Sequence, residues 1–308
     1  MTRGTAHLIP TRKILLTGKN GQVGWELQRS LACLGEVVAV DRQALDIASA
    51  DSIRAVIREV KPHLIVNPAA YTAVDKAESE PERAMAVNGV APGVMAEEAK
   101  RLGALLIHYS TDYVFDGTKD TPYVEDAAPN PLNVYGKTKL AGEEAVSAVA
   151  GAHLILRTSW VYGARGKNFM LTILRLAQER PELKIVADQF GAPTWSRLIA
   201  EMTVQILAQR LGHWNELNGT YHASASGKTS WHGFATAILE CARRGIPLLP
   251  IATAEYPLPA PRPKNSVLSN EKLRREFGLV MPDWRRGLDL CLDGVGETAV
   301  YTTFHHPM

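Results

Sequence analysis

The sequence predicts an α/β fold, a doubly wound parallel sheet followed by a smaller C-terminal lobe. In the first half of the chain, short apolar runs alternate with amphipathic helical stripes, and a glycine-rich turn joins the first run to the first stripe. Past Leu156 this rhythm loosens. Lys13 to Thr17, Val37 to Val40, His63 to Asn67, Leu105 to Ser110 and His153 to Leu156 read as buried strands, being short, apolar and free of proline. Val23, Leu27 and Leu31 form one helical stripe, Ile53, Val56, Ile57 and Val60 a second, and Ala84 through Leu102 supplies one or two helices more. Such alternation calls for parallel strands with crossover helices on both faces. The segment from Thr111 to Leu132 holds Gly117, Pro122, Pro129 and Pro131 with little periodicity, and reads as a long loop above the sheet. The second lobe starts with a helix from about Phe169 to Glu179 and a strand near Leu183 to Ala187, followed by helices near Arg197 to Leu211 and Ser230 to Arg243. Six prolines from Pro247 to Pro263 then mark a stretch that is extended or turning, or else a flexible linker.

Composition narrows the function classes. At 308 residues, 46% hydrophobic and 21% charged, the chain can bury a large core and is not disordered. The net charge of +2 is spread without a polybasic run, which argues against a nucleic-acid partner. Cys33, Cys241 and Cys291 are odd in number and far apart, as in a reducing cytoplasm. No stretch of about 18 apolar residues exists to serve as a membrane span, and the opening segment lacks a signal-peptide core. Residues 1 to 11 read as a frayed extension.

The turn Gly18-Lys-Asn-Gly21-Gln22-Val23-Gly24 lies between the first strand and the first helix. Glycines there let backbone amides at the helix N-terminus approach a pyrophosphate, although a triple glycine can also be only a tight β-to-α connection. Lys19 is either a positive charge near phosphate or an exposed turn residue. Asp41 ends the second strand, where a carboxylate accepts hydrogen bonds from an adenosine ribose diol and suits NADH; Arg42 beside it can receive the 2′-phosphate of NADPH. Asp46 and Ile47 either flank the adenine or, for Asp46, cap the next helix. Ala70, Tyr71 and Thr72 follow the third strand, where small residues let a ligand pass close to the backbone.

The fourth strand runs into Ser110-Thr111-Asp112-Tyr113, and Tyr135 and Lys139 stand four apart on the next helical stretch. That spacing places both on one helix face, where it serves either catalysis or a solvated surface. With Thr111 they suit carbonyl reduction. Thr111 would hold the developing alkoxide, Tyr135 would protonate it, and the Lys139 ammonium would lower the pKa of the phenol and bind the nicotinamide ribose.

The glycine turn, the strand-end Ser-Thr and the Tyr-x-x-x-Lys resemble the extended short-chain dehydrogenase/reductase family. Thr72-Ala-Val-Asp75 through Pro81, His108 through Phe115, Pro131 through Gly136, Arg157 through Tyr162 and Asp188 through Thr194 resemble a reductase branch acting on nucleotide-linked ketosugars. The likeness covers most of residues 12 to 290. It implies a Rossmann-type sheet and NADPH- or NADH-dependent reduction of the C4 ketone of dTDP-6-deoxy-L-lyxo-4-hexulose to dTDP-L-rhamnose. It also implies residues 12–165 as the NAD(P)-binding domain, with a later strand-helix contribution from about 190–225. A smaller substrate-binding lobe would then come from about 166–189 and 226–308. By motif, Gly18, Gly21, Gln22, Val23, Gly24, Asp41, Ala70, Tyr71 and Thr72 would line the cofactor, and Thr111, Asp112 and Trp160 would contact the sugar nucleotide, although Trp160 can also be a core residue. Asn88 would support the catalytic region or cap a helix. Arg262 and Asn265 would lie near the diphosphate, where guanidinium pairs with phosphate oxygens.

Some relatives are associated with Mg²⁺ and a homodimer. A homodimer is the family's expectation here, whereas the metal lacks support, since Glu26 matches one acidic position but Arg197 stands where another acid would help. No histidine pair has zinc-site spacing: His222 and His232 are too isolated, and His305 and His306 are terminal. Two rival readings share the fold, a nucleotide-sugar dehydratase or epimerase and a catalytically silent nucleotide-binding regulatory subunit. Related dehydratases carry Thr-Asp-Glu where this chain has Thr111-Asp112-Tyr113, so the base for water elimination is missing.

Overall fold

The computed structural model describes residues 12–293. The expected frayed extension at residues 1–11, the end of the second lobe past residue 293, and His305 and His306 lie outside the described residues. In chain order the first half comprises β1 (Lys13–Leu16), α1 (Gln22–Ser30), β2 (Glu36–Ala39), α2 (Ala50–Val60) and β3 (Leu64–Asn67), then α3 (Val74–Ala77), α4 (Pro81–Met85), α5 (Ala91–Leu102), β4 (Leu105–Thr111), α6 (Val134–Val149) and β5 (His153–Thr158). There follow β6 (Val161–Tyr162), α7 (Phe169–Glu179), β7 (Leu183–Val186), β8 (Phe190–Gly191), β9 (Thr194–Trp195), α8 (Ser196–Gln209) and β10 (Asn218–His222). The chain closes with β11 (Thr229–Ser230), α9 (Trp231–Cys241), β12 (Leu248–Ile251), α10 (Glu271–Phe277) and α11 (Trp284–Asp293).

Six parallel strands form the main sheet in the order β10-β5-β4-β3-β1-β2. Successive side chains on a strand point to opposite faces, so each apolar run divides between two cores. Ile14 and Leu16, Leu64 and Val66, and Leu105 and Ile107 pack with Leu27 of α1 and Ile199 and Ile206 of α8. Leu15, Ile65 and Leu106 face Ile53 and Ile57 of α2 and Val94 and Met95 of α5. A separate core, with Ile173 of α7, Phe234 and Ile238 of α9 and Leu288 of α11, holds the second lobe. The sheet reverses its winding between β1 and β3, which opens the crevice at the strands' C-terminal ends.

The proline-rich stretch is ordered. β12 pairs in parallel with β7, with Pro250 in the register. The strand bonds to this one neighbour only, so a residue without an amide is tolerated there.

Two polar knots hold the long loop after β4. Asp116 accepts hydrogen bonds from the Thr118 amide and hydroxyl, Tyr123 and Asn130, which hold its carboxyl well below the usual range. Arg157 on β5 and Glu143 on α6 are both buried and paired bidentately at 2.6 and 2.9 Å, and Arg157 also donates to the Glu125 carbonyl. Replacing Arg157 by Met strands the Glu143 charge in the interior. Denaturant titration should show a loss of about 3–5 kcal/mol, and pairing that change with Glu143→Leu should recover most of it.

Candidate active site

A cleft of about 560 Å³ runs along the C-terminal edge of the sheet. Gly18, Gly21, Gln22, Val23 and Gly24 line one end, and Tyr135 and Lys139 the other. Between them lie Asp41 with Arg42, Asp46 with Ile47, and Ala70, Tyr71 and Thr72.

The turn at the first end needs its glycines. Gly18 has φ +59°, and a Cβ on Gly24 would sit 2.1 Å from the Gly18 carbonyl oxygen, so the turn folds flat against the start of α1. Its open side leaves room for a phosphate before the helix amides. Lys19 is no free turn residue; its ammonium lies 3.0 Å from Asp41. That hydrogen bond, with those from the Gln43 and Ala44 amides, holds the Asp41 carboxyl below its ordinary value. Ser110 Oγ and Thr158 Oγ1 also line the cleft, and both are buried hydroxyls lacking a protein partner. Orphaned hydroxyls at its wall, with an uncovered helix start at one end, fit a polar dinucleotide.

At the other end α6 is fixed from its first turn. Asn133 caps it by accepting from the Gly136 amide, and Glu78 accepts from the Val134 amide, both at 2.8 Å. Gly136 lies so close to the Tyr113 carbonyl that a Cβ would come within 2.2 Å of the oxygen. Asn88 braces the helix from the side. It sits in a widened π-type turn, Ala86–Val90, just before Pro92, whose missing amide cannot close the ordinary helical bond. Its side chain accepts from the Tyr71 amide and donates to the Tyr71 carbonyl and Thr138 hydroxyl, which joins the cofactor edge of the cleft to α6.

Tyr135 lines the cleft half-buried, and desolvation pushes its phenol up to about 12 while the neighbouring Thr111 hydroxyl pulls it down. The phenol thus stands above its ordinary value, where the spacing to Lys139 led to the expectation of a lowered one. The Lys139 ammonium is turned inward, 2.6 Å from the Tyr109 carbonyl and 3.2 Å from His108 Nε2, and burial depresses it to about 8 against the opposing pull of Glu143. Thr111 donates to Asp112 at 3.0 Å, and Ser159 donates to the other carboxyl oxygen at 2.9 Å. Asp112 is buried, and desolvation pushes it up to about 6 despite these hydroxyls and that of Ser266.

The remaining residues occupy other positions. Trp160, at φ +45°, stacks on Trp231 with centroids 3.4 Å apart, and a Cβ on Gly191 would collide with its ring. Arg262 is paired bidentately with Asp75 at 2.7 and 3.0 Å, so its fork already clasps the two lobes together. Asn265 donates to the Lys119 carbonyl and lines a different cavity, of about 460 Å³, beside Ser226 and Lys228. Glu26 is half-buried near Arg197, which pairs with Glu201. Among the described residues no group of three or more His, Cys, Asp or Glu is placed to hold a metal, and no helix is long and apolar enough to cross a membrane. His222 is buried and pushed down to about 3, and His232 meets the Leu248 carbonyl. Sequence reasoning assigned no role to Asn67 and His108, which contact each other beneath the cleft. Their signal was a polar residue directly after a run of apolar ones, Asn67 after Leu64–Val66 and His108 after Leu105–Ile107.

Such a sheet, with a cleft running from a glycine turn to a half-buried Tyr and a buried Lys, defines an oxidoreductase of the extended short-chain dehydrogenase/reductase class. More narrowly, the chain belongs to the RmlD substrate binding domain family, whose model matches residues 12–296. A dTDP-4-dehydrorhamnose reductase of Burkholderia thailandensis is 52% identical over 292 residues, spanning 91% of this chain and 98% of that protein. One from Escherichia coli K12 is 48% identical over 295 residues, covering 92% and 98%. The crystal structure of dTDP-4-dehydrorhamnose reductase from Bacillus anthracis, in complex with NADP, matches with a TM-score of 0.88 at 37% identity, covering 92% of this chain and 99% of that one. A UDP-glucose 4-epimerase of Thermus thermophilus shares the fold, with a TM-score of 0.78 at 20% identity.

The Asp112 environment yields a prediction. Because the folded-state pKa is raised, its contribution to stability is present below the ordinary carboxylate value of about 4 and is lost as pH rises to about 6. Asp112→Asn removes that dependence. The unfolding free energy of the variant minus that of the natural protein should therefore rise by about 2 kcal/mol from pH 4 to 7. Parallel stability curves would show that Asp112 titrates normally.

Proposed function

We propose that this chain reduces the C4 ketone of dTDP-6-deoxy-L-lyxo-4-hexulose to dTDP-L-rhamnose, taking hydride from NADPH or NADH. The observation that carries the reading is the Tyr135 hydroxyl, neighbour to Thr111, on the same helix and in the same cleft as Lys139. The named relatives support the same reaction.

The bound nicotinamide supplies the hydride. For the rest, the glycine turn and α1 amides hold the pyrophosphate, Asp41 takes the adenosine ribose, and Lys19 and Arg42 supply positive charge for a 2′-phosphate. Asp46 and Ile47 flank the adenine, Ala70 to Thr72 pass along the dinucleotide, and Lys139 meets the nicotinamide ribose. Tyr135, protonated at neutral pH by virtue of its burial, gives its proton to the developing O4 alkoxide. Thr111 orients that phenol, Asp112 orients Thr111, and Trp160 offers a flat apolar face to the deoxysugar. Arg262 shapes the substrate side by joining the lobes, and Asn265 borders it from the second cavity. Residues 12–165 with about 190–225 would form the cofactor half, and about 166–189 and 226–308 the substrate half, its end past residue 293 lying outside the described residues. The partner is a dTDP-sugar in the cytoplasm, and a homodimer follows from the family.

The dehydratase reading loses support at Tyr113. Its half-buried phenol packs edge-on against Tyr135 at 5.9 Å and is pushed up by desolvation, so it is no base for water elimination. The silent-subunit reading predicts nucleotide binding without turnover.

Purified protein should consume NADPH or NADH in proportion to ketosugar supplied with its epimerase, and binding without consumption would overturn the assignment. Tyr135→Phe should lower kcat by about 10²–10⁴-fold while cofactor affinity persists. Asp41→Ala should raise KM for NADH by roughly tenfold and leave NADPH less affected, because Lys19 is then released toward the 2′-phosphate.

A further inference from the structure

Thr17, Asn67 and His108 extend the apolar runs of β1, β3 and β4, three neighbouring strands. Asn67 stands opposite His108 in the register, and Thr17 follows Leu16, which stands opposite Val66. Alternation puts all three on the sheet face of Leu15, Ile65 and Leu106. They bond in a row, with Thr17 donating to Asn67 Oδ1 at 2.6 Å and the Asn67 amide meeting His108 Nδ1 at 3.2 Å. His108 Nε2 then meets the Lys139 ammonium at 3.2 Å. All four side chains are at most 2% exposed.

The row can be satisfied in two directions. With Lys139 as a neutral amine, Thr17 donates to Asn67, Asn67 to His108, and His108 Nε2–H to the amine. With Lys139 as an ammonium, each donor becomes an acceptor: the ammonium donates to Nε2, Nδ1–H donates to the amide oxygen of Asn67 after a half-turn of that amide, and its NH₂ donates to Thr17. Neither state leaves a buried polar atom unpaired within the row. His108 stays neutral in both, because burial and the neighbouring ammonium hold it well below its ordinary value.

We propose that His108 is a positioning residue for Lys139, and that the row Thr17–Asn67–His108 accommodates either charge state of that lysine by reversing the direction of its hydrogen bonds. The inference rests on the reductase reading only for its catalytic consequence. Lys139 is faced by His108 from β4, by Tyr135 one turn back on α6, and by Glu143 one turn on, whose charge is taken up by Arg157 of β5. Of the two arrangements the charge-assisted one is stronger, so losing His108 costs the ammonium more than the amine.

The test is carbon-13 NMR of lysine-labelled protein without cofactor, with the Lys139 Cε signal assigned by its loss in Lys139→Met. The natural protein should show a midpoint near pH 8. In His108→Leu it should fall by about one unit, and His108→Gln, whose amide can donate or accept in either direction, should restore it. Asn67→Leu leaves His108 in place and should shift the midpoint the same way by less, so that a folding failure of His108→Leu does not remove the test. An unmoved or raised midpoint in the folded variants overturns the proposal. In turnover assays, the alkaline limb of kcat should move toward acid by the same amount. If the natural protein does not consume cofactor while the midpoints shift as stated, the reductase reading fails and this inference stands.

Discussion

A lysine ammonium placed at 2% exposure inside an α/β layer is the constraint on which much of this molecule depends. A charge so placed is costly unless it is paired or hydrogen-bonded. Lys139 receives a carbonyl from the C-terminal end of β4, an imidazole from the same strand and a carboxylate one turn along its helix. Each compensating group needs support of its own. Glu143 draws Arg157, Arg157 ties down the loop after β4 at Glu125, and His108 draws Asn67 and Thr17. The polar pattern thus spreads from one ammonium across four strands of the sheet.

A second, smaller network governs the phenol. Thr111 has one proton to give, and it points at Asp112. The same hydroxyl accepts from the Tyr113 amide and neighbours the Tyr135 phenol, so Asp112 and Ser159 set which way Thr111 faces before a ketone arrives. The near-neutral titration of Asp112 follows from burial, which its three hydroxyl partners only partly offset. Desolvation outweighs the other influences on Tyr135, so the phenol remains a protonated donor while the Lys139 ammonium is held from below.

The alternation of apolar runs and helical stripes is local, and the parallel sheet was legible from it. Legible too was the common cleft of the glycine turn, Asp41, Tyr71, Tyr135 and Lys139, because strand ends of a doubly wound sheet converge on one edge. What was not legible lies across the chain. Arg262 meets Asp75, Trp231 stacks on Trp160, and Asn67 meets His108 through pairings that only the folded sheet and the lobe contact create. The prolines around Pro250 are compatible with either a linker or an edge strand, and only the partner β7 decides between them. Depth of burial was likewise not legible, since spacing along a helix says which side chains are near but not how deeply they are buried.

The two ends of the cleft handle charge in opposite ways, and this explains how one site serves a dinucleotide. Near α1 the charges are partly exposed and exchangeable. Lys19 and Asp41 neutralise each other at the surface, where a pair contributes little and can be traded for a ribose or a phosphate at small cost. At α6 the groups are buried, hydrogen-bonded and fixed, so the reacting atoms meet donors whose positions are already set. A loose electrostatic end tolerates variation in the adenosine half of the cofactor, whereas a rigid end cannot tolerate a misplaced ketone. The Asn88 bracket, bonded to Tyr71 on one side and Thr138 on the other, is the physical link that keeps those ends in register.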